Sequence, residues 1–344
     1  MRYLFYIVHP SKVHLFKDTI NKLKDKHTVD LLINSKDVLE DLIISEGWNY
    51  SNLFPYGRNN SSKPSLIKSA LKFLLTIFKL EKYLFNNKRY DMFITDDSLV
   101  VNGKMRGVPT YLFNDNDIKT IKAIKILFYF SDKIISPYST DLGKFNSKKI
   151  PFYGNKAVAH LHPKYFLPNP NIKKNKFCII RLAKLNATHD IKSNNGITDN
   201  DLENIVNLID NKFEIIILSE RKIPNKYNDY LFKDNPHELM TFLYNAEFLI
   251  SDSGTMATEA AILGVPNILI NKLAKDIGVH KELYDAGLQF YFDSYSDSFS
   301  TIKKFIFDDK TKLHSKNNKM KYIDKCDDIN KLMYNLFTNN EDVK

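Results

Sequence analysis

Short apolar runs rich in β-branched and aromatic residues alternate with amphipathic helical stretches almost throughout the chain. That alternation leaves few architectures open, because parallel strands need a crossover helix between them and the helices must then cover the sheet. In the first half the strands fall near Tyr3–Val8, Thr28–Ile33, Asp91–Thr95, Thr110–Phe113 and Lys133–Ser136. The second half repeats the pattern with strands near Phe177–Leu182, Phe213–Ser219, Phe248–Ser251, Asn267–Ile270 and Gln289–Phe292, and helices near 199–211, 237–246, 255–263 and 279–286. Residues 151–176 carry Pro151, Gly154, Pro163, Pro168 and Pro170 with little periodicity, and read as a linker. The predicted organisation is a first α/β domain over 1–150, a linker over 151–176, and a second α/β domain over 177–344. Its C-terminal helix, around Asp327–Leu336, crosses back to the first domain.

With 344 residues, 43% of them hydrophobic, the chain can bury two cores and is neither a fibre nor a disordered tail. Its two cysteines, Cys178 and Cys326, stand far apart with no zinc-type spacing, so the expectation is a reducing compartment, no metal and a core role for Cys178. No run approaches the roughly 18 to 20 apolar residues of a membrane span, and the N-terminus reads as a strand rather than a signal peptide. The expected location is the cytoplasm. Residues 1–170 hold 26 Lys/Arg against 15 Asp/Glu, whereas residues 171–344 hold 24 against 25. The basic surplus thus belongs to the first half, but no zinc finger, aromatic RNP box or basic low-complexity arm accompanies it, and nucleic acid is not the expected partner. A long helix is predicted over Pro64–Phe85. At about 100° per residue its Lys68, Lys72, Lys79 and Lys82 form a narrow stripe, which is either a solvated face or a contact for an anionic membrane surface at the inner face of the membrane.

The segment from Phe248 to Ile270 carries the clearest chemistry. A buried strand ends in Ser251-Asp252-Ser253-Gly254-Thr255, and a helix of small and apolar residues follows, stopping at Gly264 before the next strand. Backbone N–H groups at such a helix start favour an anion, Gly254 lets it approach, and Ser253 or Thr255 adds a hydroxyl. Glu259, about a turn further on, can accept hydrogen bonds from a ribose diol. An ordinary N-cap with a surface glutamate is the alternative. The first strand ends in His9-Pro10-Ser11-Lys12-Val13-His14, which puts His9 and His14 at the edge where α/β proteins bind ligands, as bases, a cap or packed rings. This turn lacks the Gly-x-Gly of a dinucleotide site. Asp96 and Asp115 lie in two further strand-end clusters, Thr95–Ser98 and Asn114–Asp117, suited to acid/base work, to a divalent cation or to capping. In the second half Arg181, Lys184 and His189 follow a strand and can neutralise a pyrophosphate or form structural ion pairs, and Arg221, in Ser219-Glu220-Arg221 at the end of the next strand, can line the base pocket or cap its loop.

Residues 251–266 resemble the nucleotide-binding signature of UDP-N-acetylglucosamine 2-epimerases and related glycosyltransferase-B proteins. More widely, the chain resembles a domain-of-unknown-function family of archaea and bacteria in the same superfamily. The matching segments are His9–Phe16, Phe152–Gly154 with Leu161–Pro163, Arg181–Asp190, Ser219–Arg221 and 251–266. The resemblance implies two Rossmann-like α/β domains facing each other across a cleft, with Ser253, Gly254 and Thr255 on the diphosphate and Glu259 on the ribose. It also implies that no cofactor is required and that a nucleotide diphosphate sugar, UDP first among the candidates, is the substrate. Epimerases carry a catalytic Asp and Glu; Asp96 matches the first, but Asn114 or Asp115 replaces the second, which weakens the case for epimerisation. The leading expectation is therefore a glycosyltransferase in surface polysaccharide or glycolipid synthesis that acts on a glycan or lipid-linked acceptor, with His14, His9 or Asp96 as base. The alternatives are an epimerase-like enzyme, hydrolysing or not, and a non-catalytic binder of nucleotide sugars or glycans.

Overall fold

The structure is a computed structural model, and it describes residues 1–34, 38–55, 66–87, 89–170, 172–173, 175–184, 196–209, 212–308 and 310–338. The chain divides into two compact units, Met1–His160 with Asp327–Lys344, and Leu161–Cys326. In the first unit β1 (Arg2–Ile7), β2 (Thr28–Asn34), β3 (Ser51–Phe54), β4 (Met92–Thr95), β5 (Thr110–Phe113), β6 (Lys133–Pro137) and β7 (Lys149–Phe152) form a sheet in the order β3-β2-β1-β4-β5-β6-β7. Every pairing in it is parallel. Its helices are α1 (Pro10–Lys24), α2 (Leu39–Ser45), α3 (Leu66–Phe85), α4 (Leu99–Arg106), α5 (Lys125–Phe130) and α6 (Val158–Leu161). Tyr3 to Ile7 of β1 are fully buried, as a central parallel strand covered on both faces requires.

The second unit contains β8 (Phe177–Leu182), β9 (Glu214–Ser219), β10 (Leu249–Ser251), β11 (Asn267–Ile270) and β12 (Phe290–Phe292), in the order β12-β11-β10-β8-β9 and again parallel. Around them lie α7 (Asp199–Ile209), α8 (Leu239–Asn245), α9 (Gly254–Leu263), α10 (Gly278–Asp285), α11 (Tyr295–Phe307) and α12 (Lys310–Ile323). Ile180, Phe248, Ile250, Ile268 and Phe305 meet in its core. Cys178 lies in the same cluster, fully buried, and burial pushes its thiol far above the ordinary range. In each sheet the winding reverses beside the first strand, between β1 and β4 and between β8 and β10. The carboxyl ends of strands at such a reversal open a crevice for ligands.

Two strands escape the sequence pattern. β3 is four residues long with two polar positions, and β7 contains Pro151. Pro is tolerated in β7 because it is an edge strand, where a missing N–H breaks no inner ladder. The linker expected over 151–176 therefore begins later: Pro151 and Phe152 pair with β6, and the chain leaves the first unit only after His160.

The last described helix, α13 (Ile329–Thr338), belongs to the first unit. Tyr3 Oη donates to the Phe337 carbonyl (3.0 Å), Phe5 and Tyr111 meet the Phe337 ring edge-on, and Asn330 Nδ2 donates to the Ala159 carbonyl (2.7 Å). Asp327 marks the return, its Oδ2 accepting from the Tyr153 N–H (2.7 Å).

Candidate active site

At the reversal of the first sheet, the parallel pairing of β1 with β4 sets Thr95 opposite Tyr6, and the Thr95 hydroxyl donates to the Tyr6 carbonyl (2.9 Å). One residue on, Asp96 Oδ1 accepts the Val8 N–H (3.3 Å). Burial pushes Asp96 up to about 7, the attraction of Lys12 opposing that rise and the neighbouring Asp97 adding to it. A carboxyl group so tuned can exchange a proton near neutrality.

Lys12, buried on the first turn of α1, aims its ammonium at Asp115 Oδ1 (3.3 Å) and over the Phe113 ring (4.2 Å). Lys156 closes on the other oxygen, Oδ2, at 2.8 Å. Burial alone would raise Asp115, but the two ammonium charges and their hydrogen bonds outweigh it and hold the carboxyl far below its usual range. Lys12 itself is lowered, by burial first and then by the charge of Lys156 against the pull of Asp115 and Asp96. In or following strands of the same sheet, Ser98 Oγ, Ser136 Oγ, Thr140 Oγ1 and Asn155 Nδ2 are buried and have no hydrogen-bond partner among the described residues.

The two histidines of the first turn lie on α1 and at its start. His9 caps α1, its Nδ1 accepting from the Ser11 N–H (3.2 Å), and the residue is exposed. His14 stacks on His160, ring centroids 5.1 Å apart and planes 25° apart. Asn114 and Asp117 brace their own loop: Asn114 Nδ2 donates to the Asn116 carbonyl (2.7 Å), and Asp117 Oδ1 accepts from the Asp141 N–H (2.8 Å). Lys156 was not legible as a site residue, and Lys12 was visible only as an amine in the His9–His14 turn.

At the reversal of the second sheet, β10 ends at Ser251 beside Arg181 of β8. Ser253 opens α9 in an extended conformation and makes no side-chain cap, so the first amides of a ten-residue helix are left to another acceptor. The Ser251 hydroxyl shapes the turn instead, accepting the Ser253 N–H at 2.8 Å. Ser253, Gly254 and Thr255 are partly exposed, and Glu259 is buried on the same helix rather than lying at its surface. A Cβ on Gly254 would stand 2.9 Å from His280 Nε2, so only glycine fits without displacing that ring. His280, which the sequence did not single out, is buried with Nδ1 2.9 Å from Gln289 Oε1, and Gln289 Nε2 donates to Asn267 Oδ1 (3.2 Å). Because the amide oxygen faces it, Nδ1 carries the ring proton and Nε2 faces the turn.

Asp252 anchors the turn from below. Its Oδ1 accepts the Ala183 N–H (2.6 Å) and its Oδ2 the Ile197 N–H (3.3 Å). Burial raises it to about 6 against those two hydrogen bonds and the charges of Arg221 and Arg181. Both arginines are held in ion pairs, Arg181 with Glu220, and Arg221 with Asp199 (2.8 Å) and the Ile197 carbonyl. The Lys184 N–H reaches Glu220 Oε2 (3.2 Å), and its side chain is exposed. His189 lies outside the described residues. No group of three or more acidic, histidine or cysteine side chains among the described residues could hold a metal ion.

A family model described as protein of unknown function (DUF354) matches residues 5–342. The chain belongs to this family. The comparison with curated proteins found no match. Among solved structures, the S. aureus MnaA–UDP structure superposes with a TM-score of 0.72 at 13% identity, covering 100% of this chain and 98% of that one. The Neisseria meningitidis UDP-GlcNAc 2-epimerase bound to UDP-GlcNAc gives 0.61 at 14% identity, covering 94% and 99%. The spinosyn rhamnosyltransferase SpnG complexed with thymidine diphosphate gives 0.61 at 14%, covering 98% and 100%. Likenesses at this level of identity establish the fold. This DUF354 member has the two-Rossmann-domain architecture of glycosyltransferase-B proteins and of the 2-epimerases built on the same plan.

Proposed function

We propose that this DUF354 protein is a nucleotide-sugar-dependent glycosyltransferase. The observation that carries the reading is the turn Ser251–Thr255, a strand-to-helix junction at a sheet reversal whose capping serine leaves the helix amides unserved. In this reading those amides and the Ser253 and Thr255 hydroxyls hold the diphosphate, and Glu259 accepts from the ribose diol. Lys184 and Arg181 supply positive charge to the leaving phosphate, Arg181 sharing its charge with Glu220, and Arg221, paired with Asp199, lines the base pocket; His189 is the further cation the sequence offers for the phosphate. UDP fits best because the resemblance at 251–266 is to UDP-sugar proteins, and structures similar to this chain hold UDP or UDP-GlcNAc.

The first unit then receives the acceptor, a glycan or lipid-linked sugar in surface polysaccharide or glycolipid assembly. Its buried Ser98, Ser136, Thr140 and Asn155 groups suit a hydroxyl-rich ligand. Asp96 removes the proton from the acceptor hydroxyl as the bond to the diphosphate breaks, and the helix amides stabilise the charge left on the leaving group. His14 and His9 are alternative bases in the same unit.

Two observations bear on the choice between transfer and epimerisation. Asp115 is clamped between Lys12 and Lys156 and so strongly acidic that it makes a poor base, which leaves Asp96 as the raised carboxyl group described at that sheet edge and favours transfer. The 2-epimerase reading is favoured by Asp96 alone, at the position where epimerases carry their catalytic Asp.

The test is calorimetric titration with UDP, GDP, CDP and CMP, repeated with Glu259→Ala. Selective binding of one nucleotide, at least tenfold weaker in the variant, is expected; a variant that binds as the parent does refutes the site. Incubation of the bound nucleotide sugar in deuterated water separates the two chemistries, because epimerisation puts deuterium at C2 and transfer does not.

A further inference from the structure

Helix α3 carries two apolar faces. One packs inward, through Phe73 and Ile77 on the cluster of Val100 and Phe128, and through Leu80 and Leu84 on the cluster of Tyr6 and Phe93. Thr76 on the same side is fully buried. The other faces outward: Ile67, Leu71, Leu74, Leu75, Phe78 and Phe85 are 73%, 61%, 60%, 48%, 67% and 82% exposed. At about 100° per residue these six fall within an arc of about 100° on the side opposite the buried positions. Scattered single apolar residues on a surface need no explanation, but a row along a helix of 20 residues does.

Charge is arranged along one border of that row. Lys68, Lys72 and Lys82 follow it, Lys68 and Lys82 exposed and Lys72 partly so. Lys79, on the same border, turns inward, donating to the Leu53 carbonyl (2.9 Å) and lying 4.0 Å over the Phe54 ring. Glu81 on the opposite border is neutralised by Arg106 (2.6 Å). Beyond the C-terminal end of the helix a cavity of about 350 Å³ opens between Phe85, Tyr90, Arg89 and Arg106, Arg106 already paired with Glu81. No helix among the described residues is long and apolar enough to cross a membrane, so α3 is not a span.

We propose that the outward face of α3 docks the first unit on an anionic lipid surface, with Ile67, Leu71, Leu74, Leu75, Phe78 and Phe85 entering the headgroup–acyl boundary and Lys68, Lys72 and Lys82 pairing with lipid phosphates. An amphipathic helix binds such a surface through its buried apolar area together with electrostatic attraction, and this face supplies both. The lysine border selects a polyanionic surface over a neutral protein partner or a second copy of this basic chain, whose like charge would oppose the approach. The inference does not depend on the reading of the donor site and is tested without nucleotide.

The experiment is flotation of the full-length protein with phosphatidylcholine vesicles and with vesicles containing phosphatidylglycerol, alongside light scattering to give the oligomeric state. The parent protein is expected to float with the anionic vesicles, the more so at low salt, and to remain behind with the neutral ones. All four substituted side chains are exposed, so Leu74→Ser/Phe78→Ser and Lys68→Glu/Lys82→Glu should melt as the parent does. The first should bind anionic vesicles at least tenfold more weakly. The second should lose at least about fivefold per lysine, since each basic residue at an anionic surface contributes about that factor. Three results overturn the proposal: no flotation of the parent, equal flotation with both vesicle types, or unchanged flotation of either variant. A parent dimer that the Leu74→Ser/Phe78→Ser variant breaks into monomers, without any vesicle binding, would assign the face to a second copy instead.

Discussion

Replacing Asp96 by Asn should stabilise this protein and disable it. The carboxyl group stands at about 7 in the folded chain against an ordinary value of 3.8, a difference of roughly three pH units. At about 1.4 kcal/mol per unit, the ionised form carries a ceiling of about 4 kcal/mol against folding. Asp96 keeps some contact with solvent, and screening brings that figure to about 1 to 3 kcal/mol. The sign follows from the direction of the shift. Between pH 4 and 7 the unfolded chain has lost this proton and the folded chain has not, so the parent loses stability as pH rises through that window and regains none above it. Asn retains an oxygen for the Val8 N–H and never ionises. The melting temperature of Asp96→Asn should thus match the parent near pH 3, rise above it through pH 4 to 7, and stay higher by about 3 to 10 °C at pH 8. Release of nucleoside diphosphate from the donor sugar should fall by about 10² to 10⁴, the usual worth of a general base. Scanning calorimetry at three pH values and a coupled diphosphate assay read both effects. A variant no more stable at pH 8 than at pH 3, relative to the parent, refutes the buried-charge argument, and turnover within a few-fold of the parent refutes the base.

Two further substitutions probe the neighbouring groups. Gly254→Ala drives a methyl group against His280 Nε2 and should cost about 1 to 3 kcal/mol by overpacking, with nucleotide affinity falling in the same calorimetric titration because the turn must move. Asp115→Ala leaves Lys12 and Lys156 without their anion and should cost about 2 to 4 kcal/mol in chemical denaturation at pH 7. Because the Asp115 carboxyl is depressed in the folded chain, that loss should shrink as pH falls below about 4, where the unfolded chain takes up a proton that the folded pair still excludes.

The fold was largely legible because its signals are local. Alternation of apolar runs placed ten of the strands, and a small-residue turn before the Ala-rich stretch at 254–263 placed the candidate phosphate turn. What the sequence could not show was strand order. Val8 lies 88 positions from Asp96, and Lys12 lies 103 from Asp115. Only the parallel pairings of β1 with β4 and of β4 with β5 bring them to one edge, so the clamp on Asp115 had no linear signature. His280 is similar: nothing about a histidine early in a helix reports that its ring will close the space over Gly254. In α3 the apolar periodicity was plain, but a hydrophobic pattern does not say which of two stripes meets the core. The His9 turn was read for its imidazoles, whereas its lysine makes the buried contacts.

The path of the chain imposes an order on assembly. A ribosome emits residues 1–160, then the whole of the second unit, and only afterwards the helix around Phe337 that Tyr3, Phe5 and Tyr111 need in order to close their core. The second unit, continuous in sequence, can therefore finish folding while the first still waits with an open flank. A stop codon just before Asp327 would strand the first unit in that unfinished state while leaving the second intact, a division of labour between halves of one gene that the order of their names in the chain would not suggest.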